Sequence, residues 1–177
     1  SGGGGNSLPA MTRDEFVEVR KQELIEAMRY VGVESTDQDY QGLYDFYYTL
    51  FAEEAAEIWR ENDKDYVCNI IDMVRKRKPD VLVGMWPAPG THGQHQWAGR
   101  IAITAYNKAG DASYCAGDYP AYQPKKLYVN GIYNIRRAVQ FFPVLGENLI
   151  TIFNSDVAKS GDQKYSDMNQ KARRTFI

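Results

Sequence analysis

Apolar positions in the first third of the chain recur at helical spacing. Phe16, Leu24, Ala27, Met28 and Val31 fall on one face, which predicts a helix over about 13–31. Thr12-Arg13-Asp14-Glu15 reads as its capping box: the Thr12 hydroxyl accepts from the Glu15 amide, and the Glu15 carboxylate accepts from the Thr12 amide. Gly32 supplies the left-handed residue that ends the helix. A second helix is expected from Ser35 or Thr36. There Tyr40, Leu43, Tyr44, Tyr47, Leu50, Phe51, Ala55 and Ile58 share a stripe roughly 120° wide. Phe46, Tyr48 and Trp59 lie off that stripe and need a second packing partner. A third helix, from Asn62 or Asp63, buries Val67, Ile70, Ile71 and Val74. It ends in Arg75-Lys76-Arg77-Lys78 before Pro79, cations that suit a helix carboxyl end or a phosphate.

The texture changes at Pro79. Val81-Leu82-Val83 is a short apolar run, and Pro87-Ala88-Pro89-Gly90 is a loop. Arg100 to Tyr106 alternates enough to read as a strand, with a mid-helix segment as the rival. Lys108 to Pro124 reads as a long loop. Leu127-Tyr128-Val129, Asn130-Gly131 and Ile132-Tyr133-Asn134-Ile135 together form a hairpin signal, because Asn-Gly tolerates the positive φ angles of a tight turn. A helix after Asn130, running to Pro143, competes with it. Leu149 to Phe153 is a further strand candidate. Helices first and strands later imply an α+β fold, with an all-α fold as the alternative. The expected organisation is a flexible arm over 1–11, an acidic helical region over 12–79, a basic mixed region over 80–160 and a polar, basic tail over 161–177.

Charge sharpens that division. Residues 1–89 hold ten Lys+Arg against seventeen Asp+Glu, and residues 90–177 hold eleven against six, so a chain of net charge −2 carries halves of −7 and +5. Such asymmetry bears on association and polyanion contact rather than on fold. Tyr is the dominant aromatic, 13 residues against 7 Phe and 3 Trp, and suits interfaces as well as cores. No stretch reaches the length of a membrane span and no signal peptide is visible, which suggests the cytoplasm or a virion. Cys68 and Cys115 are too few for a disulfide framework. A reducing compartment is the simpler expectation, with a single bridge left open.

Candidate chemistry is sparse. There is no Gly-x-Ser-x-Gly elbow, phosphate-binding loop or dinucleotide fingerprint, and no cofactor is expected. His92-Gly93-Gln94-His95 has a spacing that could bring two imidazoles to one metal, but a further ligand would have to come from Asp111, Asp118 or water, so no metal is expected. His92, His95, Cys115 and Asp118 could serve a small hydrolase or nuclease if they converge. An adaptor domain that binds a basic partner is a third possibility. The basic half is more coherent. Arg100, Lys125, Lys126, Arg136, Arg137, Arg173 and Arg174, interleaved with Tyr128 and Tyr133, form a candidate surface for RNA or single-stranded nucleic acid. An acidic half on one copy and a basic half on the next would give head-to-tail contacts that build a homo-oligomer or helical filament. In general design this combination resembles coat or nucleocapsid proteins of filamentous viruses. The leading expectation is therefore a self-assembling structural subunit that binds nucleic acid without sequence preference and makes no membrane contact.

Overall fold

A computed structural model of the chain describes residues 11–43, 45–60, 66–87, 89–130 and 164–175. Within them lie five helices and a two-stranded parallel sheet, a mixed α+β fold in which helices dominate. The chain divides into two compact units, residues 1–47 with 149–177, and residues 48–148.

In the first unit, α1 spans Arg13–Arg29. Its capping box forms as the sequence implies, with the Thr12 amide donating to Glu15 Oε2 at 2.8 Å and the Glu15 amide to Thr12 Oγ1 at 3.4 Å. The Thr12 amide, and then the Thr12 hydroxyl, donate to the Glu15 carboxylate and hold its pKa below its ordinary value. The helix closes on Gly32, at φ +83°, with Val33 N–H donating to Met28 O and Gly32 N–H to Arg29 O, the paired bonds of a Schellman motif. Glu23 is buried on α1 and held by Arg20 at 2.6 Å. A last helix, α5 (Tyr165–Arg173), packs on α1, and the Thr175 hydroxyl donates to Glu23 O.

The expected second helix is largely absent. A 3-10 turn occupies Ser35–Asp37, and regular helix resumes only at α2, Ala52–Arg60. A positive-φ glycine and bonds to distant positions replace it. Gly42 adopts φ +62°, outside the right-handed helical region, and the Asp45 carbonyl accepts from the Arg13 guanidinium. Farther on, the Thr49 carbonyl accepts from the Gly93 amide, so the backbone there bonds across rather than along the chain.

The second unit is built around a β–α–β crossover. It comprises α2, α3 (Tyr66–Arg77), β1 (Val81–Gly84), α4 (Gly93–Lys108) and β2 (Lys126–Val129). The strands run parallel, with Val81 opposite Lys126 and Gly84 opposite Val129. Helix α4 packs against α2, α3 and both strands. It is the segment for which alternation suggested a strand at Arg100–Tyr106. The buried residues there are Ile101 and Ala105, four apart on one helical face, so period 3.6 prevails. Ile71, Val74, Ala105 and Ala109 form the core, with Leu82, Tyr114 and Tyr122 packed on it. Gly99 lets the chain after β1 run tight against α4: a Cβ there would lie 2.5 Å from Met85 O.

β2 confirms the strand expected at 127–129, but its described partner is β1, in parallel. The other arm of the expected hairpin, 132–135, lies outside the described residues, as do the strand candidate at 149–153 and most of the N-terminal arm. The loop over Lys108–Pro124 is as expected, and it is firmly held. Cys68 and Cys115 form a disulfide with a Cα–Cα distance of 5.3 Å, which corrects the expectation of reduced thiols. Arg75, 2% exposed, donates from Nε to Ala109 O, from Nη1 to Cys115 O, and from Nη2 to Asp111 O and Tyr114 O. The first cation of the basic run is therefore a structural clamp. No helix among the described residues is long and apolar enough to cross a membrane.

Candidate functional site

In parallel β–α units the carboxyl end of a strand and the amino end of the following helix meet at one corner, where ligands of open α/β sheets bind. Here β1 ends at Gly84, and residues 85–92 lead into α4. Both histidines of the chain stand at that corner. His92 is the N-cap of α4, its Nδ1 accepting from the Gln94 amide at 3.0 Å. His95 lies in the first turn, its ring centroid 5.9 Å from that of His92.

The cap fixes the chemistry of each ring. A neutral imidazole has one N–H and one lone pair. Because the lone pair of His92 Nδ1 takes the Gln94 amide, the proton of neutral His92 resides on Nε2, which makes that edge a hydrogen-bond donor. The two rings therefore do not offer matched lone pairs to one metal. Among the described residues the His95 ring contacts His92 and makes no hydrogen bond, so it keeps a lone pair for a proton or for one metal ligand position. Burial, and then the neighbouring His92, lower the His95 pKa from its ordinary value, which favours the neutral ring. The amino end of α4 adds a positive field of the same sense.

Segment 48–51 closes the corner. The Gly93 amide donates to Thr49 O at 2.7 Å, and Gln96, 2% exposed, donates from Nε2 to both Leu50 O and Thr91 O at 2.8 Å. Thr49 is buried, accepts from the Phe51 amide and donates its hydroxyl to Glu54. Tyr48 thereby stands edge-on to His92, its ring centroid 4.7 Å away. In the same corner the buried Thr91 hydroxyl oxygen finds no hydrogen-bond partner among the described residues.

The other residues singled out in the sequence are dispersed. Cys115 is bonded to Cys68 and has no thiolate to offer, so the hydrolase candidate loses its sulfur nucleophile. The Asp111 carboxylate accepts from the backbone and hydroxyl of Ser113, bonds that lower its pKa. Among the described residues no group of three or more metal-ligating side chains converges. Arg100 pairs with Glu53 at 2.6 Å and Lys125 with Asp80 at 2.9 Å, so two cations of the basic half meet carboxylates of the acidic half within one unit. Lys126 and Tyr128 share the exposed face of β2. Arg173 and Arg174 belong to the first unit, at the end of α5. Tyr133, Arg136 and Arg137 lie outside the described residues.

Sequence reasoning noted the three-residue histidine spacing but did not place it at the start of a helix. It missed Tyr48, Thr91 and Gln96, whose roles depend on contacts more than forty positions apart or on the start of α4.

No family model matches the chain, and no curated protein is similar to it. Among solved structures, it is similar to the conserved protein TT1542 from Thermus thermophilus, with 17% identity and a TM-score of 0.50. The match covers 97% of this chain and 59% of that one, so the chain spans about three-fifths of its neighbour's length. At that identity the likeness carries the fold alone.

Proposed function

We propose that this chain carries a hydrolytic site at the carboxyl end of β1, operated by His95 and His92. One observation carries the reading: two imidazole rings, one of them accepting the Gln94 amide at Nδ1, have centroids 5.9 Å apart at the amino end of a helix that follows a parallel strand. Both chemical tasks of hydrolysis are then supplied. His95 takes a proton from water as the water oxygen bonds to an electrophilic carbon or phosphorus. His92 Nε2–H donates to the oxygen that gains charge. The proton on His95 passes to the leaving group as its bond breaks.

Chromogenic ester, amide and phosphodiester substrates test the reading. His95→Ala should reduce kcat/KM by roughly 100-fold or more. His92→Asp retains a cap acceptor for the Gln94 amide but loses the Nε2–H donor, so it should fold normally and still lose activity. Because His95 acts as the neutral base and its pKa is lowered, activity should fall on the acid side only below the ordinary imidazole range near about 6.5. An acid limb at or above that range, or full activity in His95→Ala, removes the proposal.

A second reading, a nucleic-acid-binding assembly subunit, draws on Lys126 and Tyr128 sharing one strand face. It stands behind the first because Arg100 and Lys125 already face carboxylates. Light scattering across an ionic-strength series tests it, and a monodisperse monomer at low salt in the presence of oligonucleotide would count against it.

A further inference from the structure

Beside the two histidines the surface turns apolar. Tyr48 is 65% exposed, Leu50 53% and Phe51 66%. Large apolar side chains grouped on a surface mark a place where something binds. These three do not belong to a loose segment. Thr49, between them, points inward and is buried, and the backbone of 49–51 is tied to α4 through Gly93 and the buried Gln96 amide. The clamp holds the side chains out in water rather than letting them fold back. Their nearest acidic neighbours are occupied: Glu54 accepts from Thr49, and Glu53 pairs with Arg100. Tyr48 joins the patch to the site, because its ring is the one packed edge-on against His92.

We infer that this patch is a substrate subsite, a seat for an uncharged aryl or alkyl group attached next to the bond that is cut. The inference rests on the hydrolytic reading for its connection to catalysis, and it adds the substrate class: an amphiphile whose polar, reactive end meets His92 and His95 while its apolar end lies on Tyr48, Leu50 and Phe51. The rigid Tyr48 ring offers a face at low entropic cost, and apolar burial supplies binding energy away from the reacting atoms.

The test uses the full chain and two kinds of probe. 2-Naphthol is not a substrate and reports the seat alone, through its affinity for wild type and for the Tyr48→Ser/Phe51→Ser variant. Both side chains are exposed, so the variant should keep the wild-type unfolding midpoint; Leu50→Ser serves as a second variant. Affinity should fall about tenfold in the double variant. Turnover of 2-naphthyl acetate against ethyl acetate reports the coupling, and the preference for the naphthyl ester should fall by a similar factor, mainly through KM. Equal naphthol affinity in wild type and variant overturns the inference. So does a wild-type dimer in sedimentation that the double variant disperses, because a second copy then covers the patch. Variant-sensitive naphthol binding without turnover of any of the ester, amide or phosphodiester probes leaves the apolar seat standing and overturns the hydrolytic reading instead.

Discussion

At its carboxyl end α4 runs into a loop fixed by a buried guanidinium and a disulfide, whereas at its amino end it meets segment 48–51 through one neutral amide and a backbone bond. The contrast is one of division of labour. Arg75 sits at the negative pole of α4 and donates to four carbonyls over 109–115, two of which, those of Ala109 and Asp111, also accept from the Tyr122 and Tyr114 amides. The amino end keeps a lone pair on His95, a Thr91 hydroxyl with no hydrogen-bond partner among the described residues and an exposed apolar rim; the first and the last are what the proposed function assigns to binding. Rigidity concentrated at one end of the helix lets the other stay incompletely satisfied without drifting.

Three experiments can break this contrast, and the largest effect should come from Arg75. Arg75→Ala removes four hydrogen bonds from a buried guanidinium and should destabilise the chain by roughly 3–5 kcal/mol in denaturant unfolding. A loss under 1 kcal/mol would mean the clamp is ornamental. Next comes the bridge. Joining residues 47 positions apart restricts the unfolded chain, so Cys68→Ser/Cys115→Ser or full reduction should cost about 2–4 kcal/mol. If the division of labour holds, the stable fraction should keep its activity at low temperature. The smallest effect is at the site itself. His92→Ala removes the cap and should cost about 1 kcal/mol, and His92→Asp should recover most of that stability without recovering turnover. A His92→Asp variant with full activity would reduce His92 to a cap.

Local signals in this sequence were the legible ones. The capping box at Thr12, the terminating Gly32 and the strand at 127–129 depend on neighbours within a few positions, and each appears where the residues place it. The helical stripe through Tyr40–Phe51 was a real periodicity overruled by Gly42 and by bonds to distant backbone. Arg100–Tyr106 was ambiguous because Ile101, Ile103 and Ala105 satisfy a two-residue period as well as Ile101 and Ala105 satisfy a helical one. The site was half visible. His92 and His95 announce themselves, yet their unequal roles follow from a single hydrogen bond to Gln94, which no pattern of residues reveals. Arg75 looked like one cation among four; its burial depends on a loop thirty-four to forty positions away.

Gly99 stands one helical turn after His95, at the point where the Met85 carbonyl leaves no room for a side chain. Two histidines three apart, followed four places later by glycine, thus form a compact spelling of this corner. Anyone sifting distant sequences for the same architecture can use that short string as a sieve. A chain bearing the histidine pair but a bulky residue at the glycine position must route its β1 exit differently, and its two imidazoles would then address a differently shaped ligand.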